Sequence, residues 1–423
     1  MSDATPHAPP LRRLAALLGA LAMFGPFSID TIFPAFPEIG AQLRADPVAM
    51  QQTISAYLVA YALTSVVHGP LSDAIGRRRV ILGGLAIFTL ASVGCALSRD
   101  LPTLLLYRVV QGLSAGVGLI VGRAVIRDVL HGHDAQRLMS QVSMIFGIAP
   151  AIAPVIGGWI LGWNRWPMIF WFLVAFSALL WIATFVGLPE THPPEARLRP
   201  HPRVLLRDYF GIFANPRFQR LAAAGTFNFG SLFLYIASAP AFVLNLLRLH
   251  DRHLQSNEFA WFFVPMIGGM MLGAFVSGRS AGKVSGARLA QVGFACCGLA
   301  AASNIAYNML VATPAVPWAV LPISLNAFGI ALVFPILTLS ILDMYPRQRG
   351  GASSLQAFCS LVSNALIAGV LSPLLSDKPL HLAFGAAAFS VAAWGFWRWE
   401  LHADRRVPAC IPDAAALEPT DRM

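Results

Sequence analysis

The sequence predicts an all-α integral membrane protein: twelve transmembrane helices in two six-helix halves around a central site. Three observations predict it. Hydrophobic residues make up 57% of the chain and charged residues only 12%, outside the range of a water-soluble domain. Twelve apolar segments are long enough to cross a hydrocarbon core of about 30 Å, which takes roughly 20 helical residues. A long polar, basic segment separates the first six from the last six.

The first segment, 14–34, starts after Arg12-Arg13 and resembles a secretory signal at its outset. It runs on to Asp30-Thr-Ile-Phe-Pro34 without a small-residue cleavage site, so it is read as an uncleaved first helix. The others in the first half lie at 51–71, 80–98, 103–126, 138–161 and 167–188. Those of the second half lie at 220–244, 259–279, 289–311, 318–341, 353–375 and 381–398. Gly, Pro, Ser and Asn within them are tolerated because neighbouring helices re-satisfy the freed backbone groups. The chain thus divides into a tail (1–13), a first bundle (14–188), a linker (189–219), a second bundle (220–399) and a closing tail (400–423).

Orientation follows from the cations. Of 30 Lys and Arg, only Arg44, Arg99, Arg165, Arg248, Arg252 and Lys378 fall outside if the N-terminus is inside, and Arg108 and Arg123 lie within the fourth span. The rest accumulate on one side, which places both termini in the cytoplasm. The net charge of +10 therefore needs no nucleic acid partner, since anionic headgroups and the membrane potential favour cations there. Cys95, Cys296, Cys297, Cys359 and Cys410 are scattered without disulfide or metal spacing and are read as packing residues.

Four features carry chemistry. Between the second and third spans, Gly69-Pro-Leu-Ser-Asp73-Ala-Ile-Gly76-Arg77-Arg78-Arg79 sets an acid and three cations in a tight turn. A fainter copy, Gly278-Arg-Ser-Ala-Gly282-Lys283, follows the eighth span without the acid and points to internal duplication, with a site near the midplane between halves. In the fourth span, Arg108 and Gln111-Gly112 head a row of small residues on which a neighbour packs closely. An intramembrane arginine must face protein or water. It is either a clamp bonded to carbonyls and Gln111 or a member of a proton or substrate pathway. In the fifth span, Gly147, Pro150, Pro154, Gly157 and Gly158 combine bends with close packing.

Together these motifs resemble the bicyclomycin/chloramphenicol-resistance branch of drug:proton antiporters in the major facilitator superfamily. The loop fits G-x-L-x-D-x-x-G-R-R/K, and the fifth span resembles the antiporter motif G-x-x-x-G-P-x-x-G-G with Ala153 in place of its second glycine. Family-like residues also include Asp30-x-x-x-Pro34, Gln51 or Gln52 with Tyr57, and Arg127-Asp128. Ala74 replaces the usual basic residue, and Asn164-Arg165-Trp166-Pro167 is a rearranged Trp-Arg corner.

The resemblance implies a monomeric secondary transporter in a bacterial inner membrane, exporting small amphipathic drugs such as chloramphenicol or bicyclomycin by alternating access. Its coupling ion would be the proton, with no cofactor, no metal and no partner beyond substrate and lipid. Export or import of a metabolite, and a non-transporting sensor, are the alternatives. Walker A, H-E-x-x-H and G-x-S-x-G patterns with plausible partners are absent, which argues against an enzyme.

Asp30 is the one carboxylate inside the predicted hydrocarbon and lies about 6 Å below Pro34, while Arg108 lies about 9 Å below Pro102. A carboxyl group alternating between an apolar environment and the Arg108 guanidinium would take up and release one proton per cycle. Asp73 is expected to accept from the first amides of the eleventh helix, near Gly350 to Ser354, and Arg77 or Arg78 to pair with Asp128. By resemblance, these contacts close the cytoplasmic side. Tyr57, Gln111, Asn228, Tyr235, Asn326 and Gln356 are the candidate cavity residues.

Overall fold

The computed structural model describes residues 11–130, 132–163, 165–197, 202–249, 252–280, 283–345 and 348–404. The start of the N-terminal tail, Asn164, residues 198–201, Gly282 of the faint second motif and the C-terminal tail beyond 404, with Cys410, lie outside them. Among the described residues, ten helices are long and apolar enough to cross a membrane, and the bent pair Pro216–Ala237 and Ala239–Leu246, 46° apart, makes an eleventh. Helix Gly132–Trp163 occupies the fifth span. The twelve-helix reading is the architecture observed.

Each bundle buries small residues and aromatic groups inward and turns large apolar side chains outward. Leu63, Leu90, Trp163, Val186 and Leu310 are exposed, an arrangement that water would penalise and lipid tails accept. In the first half, span 1 packs on span 5, span 2 on span 4, and span 3 on spans 4 and 6. In the second, span 7 packs on span 12, and span 10 on spans 8 and 9. The halves meet where span 2 lies against span 11 and span 5 against span 8.

Several boundaries differ from the sequence expectation. The first helix, Leu11–Asp30, stops at the acid and continues through a short 3-10 turn into Phe36–Leu43. Pro34 and Pro37 supply no amide hydrogens for a continuous α-ladder. The second helix runs from Pro47 to Ile75, so Asp73 belongs to its last turn rather than to an open loop. Gly76 alone makes the break, at φ 108°, a conformation that glycine adopts without steric cost. The linker, read from sequence as polar and basic without an assigned element, contains the amphipathic helix Pro202–Phe213.

One end of the molecule is sealed. Gln51 donates to the Ala237 carbonyl (3.0 Å), Gln52 to that of Gly369 (2.9 Å) and Ser55 to that of Ala365 (3.0 Å), joining span 2 to the second half. Phe33 stacks on Phe263 at 6.4 Å, and Gly158 admits the Ser256 carbonyl to the surface of span 5. The other end, which carries the Gly69 to Arg79 motif, opens into a cavity of about 410 Å³ between the halves.

Candidate functional site

Arg108 is fully buried in the middle of the first bundle. Its Nη1 donates to the Ser28 carbonyl at 3.0 Å and to Gln111 Oε1 at 2.8 Å, and its Nε to the Thr53 carbonyl at 3.3 Å. The guanidinium lies 4.5 Å from the centre of the Tyr57 ring, whose hydroxyl donates to the Gly25 carbonyl. Gln111 in turn donates to Ser92. Spans 1, 2, 3 and 4 thus converge on one cation. The approach depends on Gly112, where a Cβ would overlap the Tyr57 carbonyl.

Asp30 lies nearby at 4% exposure, at the break in span 1. Among the described residues it forms no ion pair, so the expected Asp30–Arg108 pair is absent from this conformation: the guanidinium is engaged by backbone carbonyls and Gln111 instead. The next residue, Thr31, presents its carbonyl to Gly157 so closely that any Cβ there would collide. The small residues of the span 5 motif therefore hold the break beside the carboxyl group. Pro154 and Gly158 share this packed region, while Pro150 is half-buried one turn along and Gly147 lies in the same helix.

At the open end, Arg77 makes the pair with Asp128 (3.0 Å), binds Asp73 and donates to Ser72 Oγ at 2.6 Å. Arg78 instead donates to the Phe185 carbonyl and covers that ring. Glu190, which sequence reasoning missed, accepts from the Arg77 amide at 2.8 Å beside Gly76. Its only sequence signal is its position directly after span 6. The motif thereby ties spans 2, 3, 4 and 6 within one half.

Asp73 is 48% exposed and faces the cavity, with Gly350 to Ser354 on the wall of the other half. Among the described residues its partner is Arg77, and the expected contact with the eleventh helix is not made, because open space separates the halves here. Tyr209, a second residue missed, projects from the linker helix. Its hydroxyl donates to the Val66 carbonyl at 2.9 Å and lies within reach of Ser354. Burial holds this hydroxyl above the ordinary tyrosine range.

The six candidate cavity residues sit elsewhere. Tyr57 and Gln111 are spent on Arg108. In the second half, Asn304 donates to the Tyr235 hydroxyl (2.7 Å), Asn326 to Ser231 (3.0 Å) and Gln356 to Thr338 (3.1 Å), while Asn228 accepts from Cys297. Tyr235 and Asn326 border a void of only about 10 Å³, room for about one water. These groups join helices to one another. The large cavity is lined instead by Tyr61, Ser65, Arg123, Arg127, Tyr209 and Ser354, among others.

The family model of the Major Facilitator Superfamily matches residues 16–368. The chain is 30% identical over 389 residues to "Uncharacterized MFS-type transporter YdgK" of Bacillus subtilis, covering 90% of this chain and 93% of that protein. It is 24% identical to "Bicyclomycin resistance protein homolog" of Haemophilus influenzae, over 90% and 94% of the two chains. Among solved structures, a bacterial homologue of the human lysosomal transporter Spinster, in an inward-facing and unoccupied conformation, superposes with a TM-score of 0.67 at 18% identity, covering 93% of this chain and 96% of that one. The chain belongs to the major facilitator superfamily and is a multi-pass secondary transporter, not an enzyme.

Proposed function

We propose that this transporter exports amphipathic drug-like molecules from the bacterial cytoplasm in exchange for protons, working as a monomer without a cofactor in the inner membrane. The observation that carries the reading is the difference between the sealed end and the cavity of about 410 Å³ at the other, a volume suited to a drug-sized molecule. The excess of Lys and Arg at the open end supports a cytoplasmic location for it, with both chain termini on that side. Resistance to bicyclomycin in the name of one relative supports drugs as cargo.

Asp30 is the proposed proton carrier. It is buried at a helix break held by the span 5 motif, and rearrangement of that break alters its surroundings during the cycle. Arg108 fixes the neighbouring backbone of spans 1 and 2, so the two act through a shared scaffold rather than a permanent ion pair. Asp73, Gly76, Arg77 and Asp128 form the cytoplasmic gate element, with Asp73 free to meet the eleventh helix when the cavity closes.

The test is proton release from energised inverted vesicles on addition of chloramphenicol or bicyclomycin, with Asp30→Asn as the paired variant. A saturable release, lost in well-inserted Asp30→Asn protein, is expected. Normal exchange by Asp30→Asn would contradict the role of Asp30, and a flat response in the parent protein would contradict drug:proton exchange.

A further inference from the structure

The cytoplasmic cavity holds two cations that the fold does not use. Leu119, Arg123 and Arg127 recur every four residues along span 4 and line one row of the wall. Among the described residues, neither Arg123 nor Arg127 has a hydrogen bond or an ion pair, and both are exposed to the cavity. Four residues apart on one helix, they are neighbours on the same face, where like charges repel. Arg123 stands six residues, about 9 Å, inside the end of its helix.

The wall's acids do not balance them in place. Asp73 and Asp128 are both gathered on Arg77, which leaves Asp208 of the linker helix as the one other acid on this wall. Across the space, the eleventh helix, Arg349–Leu366, begins with Gly350, Gly351, Ser353 and Ser354 on the wall, adding amide and hydroxyl donors near the positive end of a helix dipole. Leu119, Ile120, Leu205, Ile212 and Leu361 supply apolar area beside these charges. Holding two guanidinia together in a partly dry cavity is unfavourable unless an anion visits them.

We infer that, among amphipathic cargo, the cavity holds most tightly molecules bearing a carboxylate, with the Arg123 guanidinium as their anchor and the apolar wall receiving the rest of the molecule. This rests on the transport reading above and specifies which cargo that site prefers. The carboxylate accepts from Arg123 while Arg127 raises the local potential. Asp208 opposes it and limits how tightly the anion is held, which favours release later in the cycle.

The test uses the full chain in neutral phosphatidylcholine nanodiscs, so that anionic headgroups do not compete. The probes are 2-naphthylacetic acid and its uncharged amide, with binding followed by tryptophan fluorescence. The acid is expected to bind about tenfold more tightly than the amide, the scale of one charge-assisted hydrogen-bonded contact. Arg123→Gln should reduce that ratio to near one, Arg123→Lys should keep part of it, and Asp208→Asn should raise it. Equal binding of acid and amide to the parent protein, or an unchanged ratio in folded Arg123→Gln, would overturn the inference. If chloramphenicol still drives proton release in that case, only the cargo class is wrong. If neither probe binds and no drug moves protons, the transport reading fails as well.

Discussion

The two ends of this transporter are closed and opened by different chemistry. At the sealed end, side-chain amides and a hydroxyl of span 2 donate to backbone carbonyls of spans 7 and 11, with aromatic contact beside them. At the cavity end the strong interactions lie within one half: Arg77 with Asp73 and Asp128, and Glu400 with Arg217 and Arg220 between spans 7 and 12. The bond from Tyr209 to Val66 is a light attachment across this end, made by the linker. Short neutral bonds seal a gate that must reopen, whereas ion pairs stiffen each half so that it moves as a unit.

The comparison breaks most severely at Gly369, whose missing side chain lets Ser55 Oγ approach to 2.6 Å of the Cβ position. Gly369→Leu should wedge the sealed end apart and invert the conformational balance, a shift on the order of 100-fold or more for a clash of about 3 kcal/mol. Thiol labelling of a cysteine introduced at the sealed end would then accelerate; unchanged labelling would show that this contact is not the seal.

Tyr209→Phe sharpens the comparison from the other side. Loss of one neutral hydrogen bond of about 1 kcal/mol should shift the balance away from the cavity-open state roughly fivefold. Labelling at the cavity end measures it. Since burial holds the Tyr209 hydroxyl above its ordinary range, the bond is expected to persist through neutral pH.

The smallest effect is expected at the sealed end beside the short strand pair Arg248–Leu249 and Arg252–His253, where Arg252 binds Glu258 through both carboxylate oxygens, at 2.6 and 2.7 Å. The Arg252 guanidinium holds the Glu258 carboxyl below its ordinary value. Its contribution is therefore complete above the ordinary glutamate pKa and is lost as pH falls through the lowered one. Thermal unfolding of Glu258→Gln should begin slightly below that of the parent at pH 7 and converge with it in acid.

Much of this was legible in the residues. A span needs about 20 apolar positions, and the charged motif, Arg108 and the paired prolines were visible against that background. The clamp of Arg108 on carbonyls and Gln111 was one of two readings that the cost of an unsatisfied intramembrane cation left open, beside a proton or substrate pathway, and Asp128 was one of few acids able to meet Arg77. The cavity wall was not legible. Several helices of both halves are apolar on every side, so periodicity does not say which face meets lipid and which meets the other half. Asn228, Asn326 and Gln356 were therefore read as cavity polarity although they join neighbouring helices. Tyr209 was hidden for another reason: it lies in the polar, basic linker, outside the apolar spans in which site residues were sought.

Alternation between the ends is best tested by paired spin-label distances in a background with the native cysteines replaced. One pair, Ile75 with Gly350, spans the cavity end, and the other, Val48 with Leu374, spans the sealed end; all four positions are exposed. On acidification with chloramphenicol present, the first distance should shorten while the second lengthens. Two distances that stay fixed, or that move in the same direction, would contradict alternating access through this cavity.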